Sequence, residues 1–239
     1  MTLNHQLVKE KKSKLNFPSD LFINGNYHKS FSEKSFDNIS PIDGKIINQI
    51  SFAQQPDIDK AVSSARKVFE KGHWSNMPPG KRKKILLKFA QLIERDRLEL
   101  SLLDTIDMGK TINDTYNADL PTSIDNIEWY AEIIDKLFDD ISPSSKKYMG
   151  LITKEPIGVV AAIVPWNYPL WMAIWKIAPA LITGNSVILK PAEQSPMSAI
   201  KIGSLLAEAG LPDGVFSVLP GDGPITGKQL CLHNDIDCV

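Results

Sequence analysis

Cysteine is nearly missing from this chain: there are two in 239 residues, Cys231 and Cys238, both near the C-terminal end of the sequence. A pair so placed makes no disulfide framework and suits a reducing compartment. Cys231 falls in a helical pattern and Cys238 in a strand pattern, so both are expected to be buried rather than nucleophilic. Histidine is scarce too. His5, His28, His73 and His233 are scattered without metal-ligand spacing, so no metal site is expected. An excess of one charge is also absent: 27 Lys and Arg face 28 Asp and Glu, a net charge of -1, which gives no electrostatic footprint for nucleic acid. Residues 1–14 lack the apolar core of a secretory signal, and the expectation is a cytoplasmic protein. The chain carries no Walker loop, G-x-S-x-G elbow or metalloprotease helix. It has no repeat of solenoid period and no low-complexity tract.

What is present is ordinary globular material, 43% hydrophobic and 23% charged. A chain of this length makes one large domain or two modest ones, and needs no disulfide or metal to hold its core. From Ile157 to Trp175 no residue is charged, a run near the length that spans a bilayer. Pro165, Asn167 and Pro169 interrupt it, and a helix so broken would leave backbone groups unsatisfied in lipid. The run reads as a buried strand, a turn and an apolar helix. No membrane partner is expected.

Residues 1–16 are polar, with a basic run from Lys9 to Lys14, and read as a poorly ordered leader. Residues 17–142 follow as a mainly helical part. Phe22 to Tyr27 contains Asn24-Gly25, a hairpin tip, and Ser40-Pro41-Ile42-Asp43-Gly44 is a second turn. Asp57 is a candidate N-cap for a helix with Ile58, Ala61, Val62, Ala65, Val68 and Phe69 on one face. Ile85, Leu86, Phe89, Leu92 and Ile93 mark a second helix, Leu98 to Ile106 a third ending at Gly109. Ile124, Ile127, Ala131, Ile134 and Leu137 mark a fourth, which Pro121 starts or kinks. These stripes are core. Residues 143–158 read as extended chain.

From residue 159 to 239 the pattern alternates: strand 159–164, helix 170–182, strand 186–189, helix 196–209 with Ser195 as N-cap and Gly210 past its end, strand 215–218, helix 224–233, and a strand starting at 236. Alternation of this kind means α/β architecture, a parallel sheet with helices packed on it. Ligands in such sheets bind beyond the carboxyl ends of the strands, which singles out three loops. In Pro165-Trp166-Asn167-Tyr168-Pro169, the Asn167 amide is either a fixed oxyanion donor or a turn residue bonded to its own backbone, and Trp166 is either a cofactor platform or packing. In Lys190-Pro191-Ala192-Glu193-Gln194-Ser195, Lys190 and Glu193 either hold the vicinal hydroxyls of a ribose or form an exposed salt bridge. In Pro220-Gly221-Asp222-Gly223-Pro224, the glycines read G-x-G-x-x-x-G through Gly227, one residue longer than the usual dinucleotide fingerprint.

Together these segments are more specific than any one of them. Glu155 to Pro169, Pro179-Ala180-Leu181, Gly184 to Pro196, Ala209 to Val215, Gly221 to Pro224 and Asp107-Met108-Gly109-Lys110 resemble, in order, the aldehyde dehydrogenase superfamily. Leu21 to Tyr27, Ile127 to Glu132 and His233 to Asp237 resemble its bacterial γ-glutamyl-γ-aminobutyraldehyde dehydrogenases of putrescine breakdown. The resemblance implies a partial doubly wound, Rossmann-like NAD-binding sheet with an N-terminal helical subdomain. It implies that Asn167 stabilises the oxyanion formed when a cysteine attacks an aldehyde. Ile163, Val164, Pro165 and Trp166 would line the cofactor site, Lys190 and Glu193 would hold the adenosine ribose, Gly223 and Gly227 would form the adenine-side turn and helix, and Ala192 and Pro224 would also bind the cofactor. Glu193 would favour NAD over NADP by repelling a 2′-phosphate. The implied partners are a small aldehyde and, through residues 143–158, other subunits of a dimer or tetramer.

The sequence departs from the family pattern at its end. The pyrophosphate-binding Phe-Thr-Gly-Ser segment, the general-base glutamate, the nucleophilic cysteine and the catalytic domain are not among these 239 residues. Neither Cys231 nor Cys238 matches that cysteine. The expectation is an amino-terminal half that is inactive alone. Two functions stay open: the cofactor half of an aldehyde-oxidising enzyme, or a non-catalytic nucleotide-binding remnant.

Overall fold

The computed structural model describes residues 4–239. Asn4 opens α1 (His5–Ser13), its side chain accepting from the Gln6 amide at 2.9 Å. The sequence suggests a poorly ordered leader here. A helix forms instead, because a local cap closes its first turn and Lys11 reaches Glu99 at 2.8 Å. Residues 1–3 of that leader lie outside the described residues.

β1 (Leu21–Ile23) and β2 (Asn26–His28) form the expected hairpin. Asn24 and Gly25 both take positive φ, 52° and 79°, as a two-residue turn between twisted strands requires. β3 (Ser35–Ile39) and β4 (Ile46–Ser51) make a separate antiparallel pair. In α2 (Gln55–Glu70) the cap differs from expectation. Asp57 lies three residues inside the helix, and its buried carboxylate accepts from the Gln54 amide at 3.0 Å, the Phe31 amide at 2.8 Å and the Ser30 hydroxyl at 2.9 Å. It pins a distant loop as well as the helix end.

α3 (Pro79–Arg95), α4 (Arg97–Met108) and the short α5 (Ile112–Asp114) follow, then a π turn over Thr115–Asp119 that runs into α6 (Leu120–Ile133). Pro121 stands in the first turn of α6, directly after the π turn. The apolar stripe is shorter than its spacing suggests. A 3₁₀ turn over Ile134–Lys136 rotates the chain out of register and leaves Leu137 exposed. The next segment holds the antiparallel pair β5 (Asp140–Ser142) and β6 (Gly150–Ile152), whose Ile141, Leu151 and Ile152 are exposed.

The uncharged run resolves into β7 (Val159–Ile163), a loop, and α7 (Pro169–Ile182). No helix among the described residues is long and apolar enough to cross a membrane. β8 (Ser186–Lys190), α8 (Met197–Ala209), β9 (Phe216–Val218), a π turn over Gly223–Gly227 and α9 (Lys228–Leu232) complete the chain. The sheet runs β2-β1-β9-β8-β7, with β7, β8 and β9 parallel. The strand expected from residue 236 is a single parallel bridge from Cys238 to Val160 on the outer side of β7. Side chains of β8 alternate between two cores. Ile188 joins Ile58, Ala61, Val62, Ala65 and Leu230 on the α2 and α9 face. Val187 and Leu189 join Leu86, Ile127, Ile174 and Ile200 on the face of α3, α6, α7 and α8. Helices on both faces make the sheet doubly wound. The cysteines depart from expectation: both are exposed, since α9 buries only Leu230 and Cys238 lies at the sheet margin.

Candidate functional site

The three singled-out loops meet at the carboxyl ends of β7, β8 and β9. The Val164 amide donates to the Lys190 carbonyl at 3.1 Å and the Leu219 amide to the Leu189 carbonyl at 2.9 Å, so the ladder holds the loop bases in step. Lys190 is 2% exposed. Its ammonium donates to the Pro191 carbonyl at 3.0 Å and to Glu193 Oε2 at 3.4 Å. Burial pulls its pKa down, while the charges of Glu193 and Asp222 pull it back up. The exposed salt bridge considered from sequence is thus buried at its cationic end and open at Glu193. Ala192 is buried beside it.

Asp222 caps the turn after β9, its Oδ1 accepting from the Ile225 amide at 2.7 Å. Thr226 donates to the Ala53 carbonyl at 2.7 Å, fastening the turn to the chain before α2. Gly223 and Pro224 are exposed, and a Cβ on Gly223 would meet nothing within 4 Å. A Cβ on Gly227 would stand 3.8 Å from Lys190 Cδ, 3.9 Å from Ile163 Cδ1 and 3.7 Å from the Asp222 carbonyl. Absence of that Cβ leaves a cradle bounded by all three loops. The extra residue in G-x-G-x-x-x-G is accommodated by the π turn, whose Gly227 amide donates to the Asp222 carbonyl at 3.0 Å.

In the first loop Val164 is buried, whereas Ile163, Pro165, Trp166 and Asn167 are exposed. Among the described residues the Asn167 side chain makes no hydrogen bond to its own turn. Trp166 is not packing: it is 55% exposed and lines a cavity of about 410 Å³ with Phe36, Ile39, Asp107 and Glu193. Its carbonyl accepts from the Ser195 hydroxyl at 3.1 Å, tying the first loop to the second. Beyond Asn167, Tyr168 takes the Lys110 ammonium 3.9 Å over its ring and packs edge-on against Trp171 at 5.1 Å. Trp171 stacks on the half-exposed Trp175. The structure thus brings together Ile163, Lys190, Glu193 and Gly227 around one cradle, and Asn167 is exposed next to Tyr168, where the aromatic row begins. Neither cysteine belongs to the three loops.

Sequence reasoning missed two buried carboxylates beneath these loops. Asp104 and Asp107 lie on α4, 1% and 2% exposed. Asp107 accepts from the Met197 amide and from Asn38, each at 2.8 Å, and Asp104 accepts a longer bond from the Leu170 amide at 3.4 Å. Burial pushes Asp104 up to about 7 and Asp107 up to about 8, against the lowering effect of these donors. The available signal was two acids at i, i+3 on a helix face otherwise made of leucines and one serine.

The aldehyde dehydrogenase family profile matches residues 27–239. The chain belongs to the aldehyde dehydrogenase family. It is 46% identical over 230 residues to the NADP/NAD-dependent aldehyde dehydrogenase PuuC of Escherichia coli, covering 96% of this chain and 46% of that protein. It is 39% identical over 225 residues to an aminoacetaldehyde dehydrogenase of Pseudomonas aeruginosa, covering 94% and 45%. An indole-3-acetaldehyde dehydrogenase solved with NAD+ superposes with a TM-score of 0.96 at 47% identity, covering 99% of this chain and 48% of the other. A γ-glutamyl-γ-aminobutyraldehyde dehydrogenase of Burkholderia cenocepacia also gives 0.96, at 44% identity over 99% of this chain and 48% of that one. The chain therefore spans about half the length of the relatives it matches.

Proposed function

We propose that these residues form the NAD-binding part of an enzyme that oxidises an aldehyde to a carboxylic acid. The observation that carries this reading is the buried Lys190 ammonium beside Glu193, facing the cradle at Gly227. A carboxylate accepts from vicinal ribose hydroxyls while an ammonium donates to the same sugar, and a glycine at the helix start lets the adenosine approach backbone. NAD, when bound, supplies the acceptor for the hydride leaving the substrate. Ile163, Val164, Pro165 and Trp166 shape the cofactor wall, and Ala192 backs the ribose pair. Gly223 and Pro224 keep the adenine side open. Asn167 donates to the oxyanion that develops when a nucleophile adds to the aldehyde.

Glu193 favours NAD, because its charge opposes a 2′-phosphate at short range. The PuuC name carries both cofactors, so the effect is a preference, and Glu193→Ser should shift it toward NADP. The substrate class is an aminoaldehyde, after the names of one relative and one solved neighbour. The exposed β5–β6 pair is the surface by which subunits associate, since Ile141, Leu151 and Ile152 present apolar area to solvent. The 239 residues alone do not turn over aldehyde, because none of the three loops brings a cysteine beside Asn167.

Calorimetric titration with NAD, AMP and NADP tests the cofactor site, and NADH absorbance with an aminoaldehyde tests turnover. Weak binding of NAD and AMP without NADH formation is expected. No binding at the loops, or turnover abolished by replacing Cys231 or Cys238, would overturn the reading.

A further inference from the structure

Helices α7 and α8 begin at the two loops that carry Asn167 and Glu193, yet neither start is capped by its own preceding side chain. Tyr168 and Pro196 occupy the N-cap positions and supply no side-chain acceptor. Helix starts leave free N–H groups that need an acceptor, and the aligned peptide dipoles favour a negative one. Here the acceptors come from α4, remote in sequence. Asp107 Oδ2 takes the Met197 amide at 2.8 Å and Asp104 Oδ2 takes the Leu170 amide at 3.4 Å. The two acids, three residues apart, share one face of α4. Asn38 of β3 fixes the other oxygen of Asp107 at 2.8 Å, and Ser195 ties the two loops together through the Trp166 carbonyl.

We propose that Asp104 and Asp107 are positioning residues that cap α7 and α8 from α4 and so set the loops 165–168 and 191–195 relative to each other. For the dinucleotide this rests on the function proposed above; the capping itself does not. The surroundings of the pair make its charge adjustable. Asp119 and Lys110 act on Asp104 with opposite sign, Ser198 lies beside it, and Asp37 and Glu193 line the cavity that Asp107 also lines. Burial is what favours a protonated Asp104, and a hydrogen bond from the neighbouring Ser198 hydroxyl opposes it. With Asp104 raised to about 7 and Asp107 to about 8, the caps gain charge as the pH passes through neutrality.

Backbone amide NMR on the 239-residue chain, titrated from pH 5 to pH 9.5 (roughly bracketing both groups), tests this without any cofactor. The Met197 amide should shift with a midpoint near that of Asp107 and the Leu170 amide with that of Asp104, carrying residues 193–196 and 166–168 with them. Asp107→Asn, which keeps an acceptor but no charge, should abolish the Met197 titration and leave unfolding cooperative. Asp107→Ala should displace the resonances of both loops. Resonances of residues 193–196 that stay in place in a folded Asp107→Ala would overturn the proposal, since the wild-type titration reads the charge of the caps and the variant reads their presence. So would a Met197 titration that persists in Asp107→Asn. A parallel NAD titration separates the two readings: amides that titrate in a chain that binds no NAD support the capping and count against the cofactor site alone.

Discussion

Strand β8 and the β5–β6 pair are built from the same kinds of residue and meet opposite fates. All five residues of β8 are buried, with Val187, Ile188 and Leu189 fully so. In the antiparallel pair, Ile141 and Leu151 are each 67% exposed. The difference is what covers them. Helices close both faces of β8, whereas β5 and β6 pair only with each other, and an isolated two-stranded pair has marginal stability in water. Apolar residues stabilise a fold where neighbours remove them from water. Elsewhere they mark a surface on which something else docks.

The largest loss of stability is expected in the core. Ile188→Ala deletes side-chain volume between β8 and α2, and should cost about 2–5 kcal/mol in denaturant unfolding. A loss no larger than that of a surface change would show the inner sheet to be loosely packed. Gly203→Ala comes next. Its Cβ would fall 2.5 Å from the Phe22 ring, so the α8–β1 contact must give way, with an expected loss of about 1–3 kcal/mol in the same assay.

A third test concerns buried charge instead of buried carbon. Asp104 and Asp107 are raised from an ordinary 3.8 to about 7 and about 8. Between those limits the folded chain holds protons that the unfolded chain has released. Stability should therefore fall as the pH rises through that window and level off above it, with each group contributing at most about 1.4 kcal/mol per pH unit. Asp104→Asn with Asp107→Asn should flatten the profile, read as the midpoint of urea unfolding against pH. The smallest effect on stability is expected at the exposed pair. Ile141→Asp should change unfolding by no more than about 0.5 kcal/mol. By sedimentation velocity it should reduce self-association. Unchanged association would remove β5–β6 from that role.

The alternating elements from Val159 onward were legible because Val and Ile runs are punctuated by glycine, proline and caps at the right spacing. Lys190, Glu193 and Gly227 were singled out for the same reason: Lys190 ends a strand, Glu193 follows it, and Gly227 closes the glycine turn after the next one. What escaped was set by distant partners. Asp104 and Asp107 meet amides 66 and 90 residues away, and no local pattern records such a bond. Asp57 read as a helix cap, but two of its three bonds go to Ser30 and Phe31. Local capping chemistry in the other direction, Asn4 with Gln6, ordered a segment whose composition suggested irregular chain. The cysteines read as buried because helix and strand patterns say nothing about which face is covered.

If the loops after β7, β8 and β9 enclose a dinucleotide cradle, Gly227→Ala should block it. The added Cβ meets only ordinary contacts, the nearest at 3.7 Å, so the fold should keep its unfolding midpoint or gain slightly from a residue better suited to a helix. The methyl group would occupy the space between Lys190 and Ile163 that the adenosine needs. Titration of AMP and NAD, followed by amide shifts, should move residues 163–166, 190–193 and 222–227 in the wild type and leave them nearly still in the variant. Shifts unaltered by Gly227→Ala, or confined to the basic groove of Lys60, Lys67, Lys71 and His73, would contradict the cradle.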